Sequence, residues 1–299
     1  MKRLKQYLLH LLPAVIFTVL LSAPASFSAE KPQNFLWRIT TPNSTAYILG
    51  SIHLMKPEMY PLASAIEAAY KSSNTLIVEI NLNKIDPLKA AEIVSSNAVY
   101  SDSRTLKSSV SESTYAQAAA KLRDIGMDIE IFQKAKPWMV AVTLTDISLR
   151  RLGFDPVYGI DNYFLKKSGA KKIIELESLE SQISLFSTFS EKEQELFLIY
   201  TIRDLENLRR DMDLLIEYWR AGDAGKVEKL LTSGIEKTSE LQQIYRRLFT
   251  ERNFSMTLKI ESILKKQGTY FIVVGAGHLV GESGIINLLQ KKGFRLQQM

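Results

Sequence analysis

The chain has 299 residues, 38 of them basic and 32 acidic, with three histidines and no cysteine. This length allows one large α/β domain or two small ones, and the lack of cysteine excludes disulfides, thiolate metal ligands and a cysteine nucleophile. Removal of Lys2, Arg3 and Lys5 with an N-terminal leader leaves 35 basic and 32 acidic residues, a net charge of +3, which is too small to favour a nucleic-acid partner.

The first segment has the pattern of a secretory signal peptide. A basic stretch, Met1–Lys5, precedes the mostly apolar Leu8–Leu21 and then a run of small residues. Cleavage after Ala25 or after Ser28 fits equally well, and we take 1–28 as the leader. No later run reaches the roughly 18 consecutive apolar residues of a membrane span. We therefore expect a periplasmic or secreted protein without a stable membrane anchor.

The next predicted elements form a β-hairpin. Phe35–Thr40 and Thr45–Leu49 are apolar runs on either side of a Pro-Asn-Ser turn, which suggests a hairpin at the edge of a sheet. The second run continues into Gly50-x-x-His53. A continuous apolar run is typical of a buried strand, so His53 should lie just past the carboxyl end of one.

Two further predicted strands end in acidic residues. Thr75–Ile80 is apolar except for Glu79, and Lys171–Leu176 is followed by Glu177. A buried carboxylate is costly unless it is paired or bound to a metal, so Glu79 is a candidate site residue. A salt bridge at a strand end is the alternative.

Helical patterns fill the rest of the middle of the chain. The segment from Asp86 to Phe164 is helical, with a buried helix over Pro137–Leu152, and the loop after that helix carries Asp161. A capping box at Ser190 predicts one long amphipathic helix that ends at Gly222, whose apolar stripe is best explained by packing. The large helical insertion, residues 178–267, contains Arg252 and Asn253.

The last unit repeats the motif of the first hairpin. An apolar strand over 269–275 ends in Gly275-x-x-His278, and a helix and a final strand at Phe294–Gln297 follow. Either histidine alone would fit a core residue satisfied by hydrogen bonds. The matched pair instead favours one shared site, because ligands of α/β sheets bind outside the carboxyl ends of the strands.

The candidate residues form a ligand set of nitrogen and oxygen atoms. His53 and His278 with Glu79, Asp161 and Glu177 would suit Zn, Mn, Co or Fe with open coordination positions. A bound ion could lower the pKa of a water and polarise a carbonyl, so hydrolysis is the inferred chemistry. The sequence contains no Walker loop, G-x-S-x-G elbow or H-E-x-x-H motif.

Several motifs in order along the chain resemble the TraB/GumN family, which includes the Tiki metalloproteases. These motifs are Phe35-Leu-Trp37, Tyr47-Ile-Leu-Gly-Ser-Ile-His53, Val78-Glu79-Ile80, Gly159-Ile-Asp161, Leu176-Glu177 with Ser181-Gln182, Arg252-Asn253, and Val274-Gly-Ala-Gly-His-Leu279 with Gly281. The resemblance implies an α/β fold with a mixed central sheet and a helical insertion, related to erythromycin esterase and to the haem-binding ChaN-type proteins.

In the Tiki branch the resemblance also implies a manganese- or cobalt-dependent peptidase, with zinc as an alternative metal. A peptidase of this branch uses both Gly-x-x-His motifs and a glutamate. The chain ends without the hydrophobic tail of membrane-anchored members, so anchoring is not expected. A non-catalytic protein of the same fold that binds haem or a peptide signal is the competing interpretation.

These observations define the expected organisation and site. We expect a single domain over 29–299. Its expected substrate is a peptide or a small molecule, and the sequence allows both a monomer and an oligomer. The expected metal ligands are His53, His278, Glu79 and Asp161. The expected catalytic residues are Glu79, Glu177, Arg252 and Asn253, with Arg252 holding a substrate carboxylate or oxyanion. A structural ion pair between Asp161 and Arg252 is the alternative role for those two residues.

Overall fold

The computed structural model describes residues 33–233 and 238–299. The predicted leader at 1–28 lies outside these ranges. Six strands form one mixed sheet in the order β4-β3-β5-β2-β1-β6. Their bounds are β1 Leu36–Thr40, β2 Ser44–Ser51, β3 Thr75–Val78, β4 Lys172–Glu175, β5 Gly268–Gly275 and β6 Leu296–Gln298. The α/β class and the mixed sheet predicted from the sequence are confirmed, whereas the finer likeness to erythromycin esterase and ChaN-type proteins stays a prediction.

Four adjacent strands, β4, β3, β5 and β2, are parallel to one another. β1 pairs antiparallel with β2, and β6 pairs antiparallel with β1. β2 pairs with β5 from Ser44↔Gly268 to Ser51↔Gly275, and β3 pairs with both β5 and β4. The predicted hairpin forms between β1 and β2. It does not lie at the edge of the sheet, because the final strand β6 pairs with β1 and takes that position.

Helices surround this sheet and fill the long connections between its strands. They are α1 Ser64–Ser72, α2 Pro87–Ala98, α3 Leu106–Ser109, α4 Glu112–Asp124, α5 Pro137–Arg151, α6 Ile160–Lys166, α7 Leu179–Ser187, α8 Glu191–Asp204, α9 Leu208–Arg220, α10 Ala224–Thr232, α11 Ser239–Tyr245, α12 Arg252–Leu264, α13 Ala276–Leu279 and α14 Ile285–Lys291. A π-helix, Arg246–Glu251, joins α11 to α12. None of the helices in the described part of the chain combines the length and apolar character that a membrane span requires.

The prediction of one long helix between Ser190 and Gly222 is wrong in one respect. The capping box is present, with Glu193 N–H donating to Ser190 Oγ, but the helix ends at Asp204 and α9 begins at Leu208. The two halves face different cores. Leu198 of α8 packs among other helices, whereas the apolar stripe of α9 packs on the sheet, so one straight helix could not serve both.

The core has two parts. The sheet cluster contains the apolar side chains of the central strands with α9, α10 and α12, among them Ile48, Leu76, Met212, Trp219, Ile260 and Phe271. The helical cluster contains α2, α4, α5, α7, α8 and α11, among them Ala90, Leu122, Trp138, Leu144, Phe186, Leu198 and Ile244. The predicted buried helix, α5, lies in the helical cluster, where Trp138 stacks on Phe186 with ring centroids 4.8 Å apart. Residues 178–267 contribute to both clusters.

Candidate functional site

The two Gly-x-x-His motifs end neighbouring parallel strands at the same edge of the sheet. Ser51 at the end of β2 pairs with Gly275 at the end of β5. His53 follows two residues after Ser51, and His278 lies in the short helix α13 that begins directly after Gly275. The parallel pairing therefore brings together two histidines that are 225 residues apart in the chain.

Gly275 lies at the centre of the candidate site. A Cβ atom at this position would lie 3.2 Å from His53 Nε2, 3.3 Å from Glu79 Oε1 and 3.4 Å from His278 Cδ2. The Gly275 N–H also donates to Glu79 Oε1 at 2.6 Å. Both imidazoles and one carboxylate thus border a single space, which is open because residue 275 has no side chain.

His53 is oriented by a carboxylate behind it. Its Nδ1 lies 2.8 Å from Asp161 Oδ2, and the other oxygen of Asp161 accepts a hydrogen bond from Ser51 Oγ at 3.0 Å. Burial alone would lower the pKa of His53, but the Asp161 carboxylate outweighs it and raises the pKa to about 9. With Nδ1 bound to Asp161, Nε2 is the nitrogen that faces Gly275.

His278 is oriented by an amide instead of a carboxylate. Asn253 Nδ2 donates to the Ser283 carbonyl at 2.9 Å, so Asn253 Oδ1 is the atom that lies 2.6 Å from His278 Nδ1. An amide oxygen only accepts, so Nδ1 carries the hydrogen and Nε2 keeps its lone pair. Nε2 is buried and has no hydrogen-bond partner among the described residues. Burial, followed by the positive charge of Arg252, holds the pKa of His278 well below its usual range.

Two glutamates share one arginine at the ends of β3 and β4. Glu79 lies one residue beyond β3 and is 5 % exposed. Arg252 Nη2 donates to Glu79 Oε2 at 2.9 Å and to Glu177 Oε2 at 2.5 Å, and its Nε donates to Glu177 Oε1 at 2.9 Å. Gln182 Nε2 donates to the same two carboxylates at 3.0 and 2.8 Å. Glu79 and Glu177 are therefore held side by side.

Arg252 is occupied by these contacts. Its Nη1 donates to the Leu248 carbonyl at 3.1 Å, so four of its five N–H groups have partners. The side chain is only 8 % exposed. The geometry thus favours Arg252 as the partner of Glu79 and Glu177 over the predicted clamp on a substrate. The alternative ion pair with Asp161 is not formed either, since Asp161 binds His53.

The sequence profile of the TraB/PrgY/gumN family matches residues 35–298. This range includes both Gly-x-x-His motifs and almost all of the described structure. The chain belongs to the TraB/PrgY/gumN family. The resemblance read from the motifs is thereby confirmed.

Three related proteins show how far the sequence similarity extends along the chain. The chain is 25 % identical over 274 residues to the "Uncharacterized protein YbaP" of Shigella flexneri and of Escherichia coli, covering 88 % of this chain and 96 % of each relative. It is 35 % identical over 81 residues to a "Metalloprotease TIKI homolog" of Amphimedon queenslandica, covering 26 % of this chain and 13 % of that protein. No solved structure matches the chain.

Three polar residues of the site were not among those predicted from the sequence. Ser51 holds Asp161, Gln182 bridges the two glutamates, and the Ser283 carbonyl fixes the amide of Asn253. Ser51 and Gln182 both belong to the family motifs, which are the signal in the sequence that could have identified them. Ser51 contacts Asp161 across 110 residues and Ser283 contacts Asn253 across 30, so no local spacing reveals these pairs.

The side chains at this site have the donor types that proteins use for divalent metal ions. Across residues 33–233 and 238–299, no three His, Asp or Glu side chains form a complete ligand set around one point. His53 and His278 nevertheless each have Nδ1 bound to a neighbour, which is how metal-binding histidines are usually held. Such an ion would use Nε2 of each ring, of which that of His278 has no hydrogen-bond partner among the described residues, and Oε1 of Glu79, which also accepts the Gly275 N–H.

Proposed function

We propose that the protein is a divalent-metal-dependent hydrolase that cleaves peptide bonds. The observation that carries this proposal is the convergence of His53 Nε2, His278 and Glu79 Oε1 around Gly275. Two nitrogen donors and one carboxylate oxygen are the ligand types of many hydrolytic metal sites, which keep further positions open for water and substrate. Manganese or cobalt is the proposed metal, with zinc as the alternative.

His53, His278 and Glu79 would hold the ion, and the other polar residues would keep these ligands in place. A bound divalent ion supplies a water of lowered pKa and polarises a carbonyl group. Asp161 and Asn253 bind Nδ1 of His53 and His278, which leaves Nε2 as the nitrogen of each ring that would bind the ion. This assigns Asp161 to orienting His53, in place of its expected role as a ligand.

The two glutamates have different environments and therefore different proposed roles. Glu79 presents Oε1 to the space beside Gly275. Both oxygens of Glu177 accept hydrogen bonds from Arg252. We assign Glu79 to the ion or to proton transfer at that space, and Glu177 to holding Arg252 and Gln182 against Glu79.

Two observations favour hydrolysis of peptides over haem binding. The space beside Gly275 is bordered by the Glu79 carboxylate as well as by both imidazoles, and such a small mixed set of donors suits an ion better than a porphyrin. The short match to a metalloprotease TIKI homologue supports a peptide substrate. The leader-like first residues support a periplasmic or secreted location for this activity.

The test compares the wild type with His53→Ala and His278→Ala. Each protein is loaded with Mn, Co or Zn, the bound metal is measured by elemental analysis, and products from a mixture of unstructured peptides are measured by mass spectrometry. We expect each substitution to weaken metal binding at least about 100-fold and to abolish cleavage, while the fold persists.

A matched surface variant, Phe254→Ala, should retain both metal and activity, because its side chain is 54 % exposed. A wild type that binds no metal under any loading condition would contradict the proposal. Metal binding without any cleaved product would point to sequestration of a peptide instead of hydrolysis.

A further inference from the structure

Few large apolar side chains are exposed in the described part of the chain, and two of them are consecutive. Val157 is 53 % exposed and Tyr158 is 39 % exposed. Both belong to the 3-10 turn Pro156–Tyr158, which leads through Gly159 into α6. Neither residue has a part in the metal site described above.

This turn is fixed directly beside His53. Asp155 and Met55 exchange two backbone hydrogen bonds at 2.9 and 3.3 Å, and Ile160 N–H donates to the Ile52 carbonyl at 3.1 Å. A Cβ at Gly159 would lie 2.1 Å from the His53 carbonyl oxygen, so the two backbones are in close contact. The exposed pair is thus held at both ends against the segment that carries His53.

Tyrosine rings extend the same apolar surface. The Tyr60 hydroxyl donates to the Tyr158 carbonyl at 2.6 Å, and the Tyr60 ring stacks on Tyr163 at 4.5 Å. Burial and then the negative charge of Asp161 raise the pKa of Tyr60, so its hydroxyl stays protonated and donates to the Tyr158 carbonyl. With its hydroxyl bound to Tyr158, Tyr60 offers its ring as an apolar contact.

We propose that Tyr60, Val157 and Tyr158, called the apolar edge, bind an apolar or aromatic side chain of the peptide substrate next to the bond that is cleaved. This rests on the proposed hydrolysis of peptides at His53 and His278. Rigid aromatic rings lose little conformational entropy on binding, so they are efficient anchors for such a side chain. Gly159 lies against the His53 backbone and Asp161 binds the His53 ring, so a peptide bound at the edge would lie beside the segment that carries His53.

The first measurement is independent of catalysis. Short unstructured peptides, identical except for one central Phe, Leu, Ser or Asp, are titrated into the metal-free protein, and their affinities are measured by calorimetry. We expect the Phe and Leu peptides to bind at least about tenfold more tightly than the Ser and Asp peptides, as one apolar contact typically discriminates. Equal affinities for all four peptides would overturn the proposal.

The second measurement locates the effect. The double substitution Val157→Asp with Tyr158→Asp should remove the preference for Phe and Leu. Leu258→Asp is the matched control, because Leu258 is 56 % exposed on the face of α12 opposite its buried residues. An equal loss in both variants would contradict the assignment to the apolar edge. A change in oligomeric state alone, measured by light scattering, would show that the edge joins two copies of the chain and would also overturn the proposal.

The third measurement separates this inference from the proposed catalysis. Cleavage sites in a peptide mixture are mapped for the metal-loaded wild type, and an apolar residue should be enriched at one fixed side of the cut. Cleavage without any enrichment would reject the apolar edge and leave the peptidase intact. Selective binding of the Phe and Leu peptides without cleavage would reject the peptidase and leave the apolar edge intact.

Discussion

Gly50 and Gly275 precede the two histidines at the same spacing, but the structure requires them for different reasons. A Cβ at Gly50 would lie 2.4 Å from Phe35 Cδ1, inside the core. A Cβ at Gly275 would meet His53, Glu79 and His278 at 3.2–3.4 Å. Gly50 is therefore a packing residue, whereas Gly275 leaves the site open.

This difference predicts that an alanine at Gly50 mainly lowers stability, whereas an alanine at Gly275 mainly weakens metal binding. Gly50→Ala should lower the free energy of unfolding by ~1–3 kcal/mol through overpacking and leave metal affinity nearly unchanged. Gly275→Ala should cost less stability but weaken metal binding at least about tenfold, because the methyl group occupies the space between the donors. Urea unfolding and metal titration of both variants provide the check, and similar behaviour of the two would contradict this assignment.

The pairing of His53 with Asp161 predicts a pH dependence of stability. In the folded, metal-free protein the pKa of His53 is raised from 6.5 to about 9. A raised folded-state pKa contributes stability that is complete below pH 6.5 and is lost as the pH rises through about 9. We expect the free energy of unfolding to fall across this window in the wild type and to fall less in Asp161→Asn. Identical pH profiles of the two metal-free proteins would rule out this coupling.

The helix α9 supports the end of β2, the strand that leads to His53. Its apolar stripe packs in the sheet cluster, and Trp219 near its end donates from Nε1 to the Gly50 carbonyl at 2.6 Å. This carbonyl belongs to the last residues of β2, where the chain turns toward the site. The helix thus stabilises the strand end from which the site begins.

Trp219→Phe should lower the free energy of unfolding by ~1–3 kcal/mol, because the buried Gly50 carbonyl loses its donor. Tyr218→Phe is the control on the same helix, since it removes only a hydroxyl from a partly buried ring and should stay within about 0.5 kcal/mol of the wild type. Denaturant unfolding measures both. Equal stability of the two variants would show that the Trp219 hydrogen bond contributes little.

The candidate site lies where the sheet cluster and the helical cluster meet. His53, Glu79 and His278 follow strands of the sheet cluster, whereas Gln182 comes from α7 of the helical cluster. Phe249 of the π-helix packs against the helical cluster and lies 5.3 Å from the His278 ring. Clefts between packed units are common places for ligand sites.

Arg252 joins these parts, because it connects α12 to the ends of β3 and β4. Arg252→Met should lower the free energy of unfolding by about 3–5 kcal/mol, since Glu79 and Glu177 would stay buried without their cation. The control is Lys265→Met, which breaks an exposed pair with Glu261 and should leave the stability nearly unchanged. Urea unfolding measures both. A loss for Arg252→Met as small as that of the control would mean that the two carboxylates are stable without the arginine.

The family, the α/β class and the strands that end in the candidate residues could all be predicted from the sequence. These features depend on apolar runs, glycine positions and capping residues within short windows, which local physical chemistry specifies. His53, Glu79, Glu177 and His278 could be identified this way, because each stands at the end of an apolar run or directly beyond it.

The hydrogen-bond partners of these residues could not be predicted, because they depend on contacts between distant parts of the chain. Asp161 contacts His53 across 108 residues, Asn253 contacts His278 across 25, and Arg252 contacts Glu79 across 173. These partners are set by the order of strands in the sheet and by where α6 and α12 pack, neither of which a local pattern contains. The break between α8 and α9 has the same origin, since it depends on two separate cores that form only when the whole chain folds.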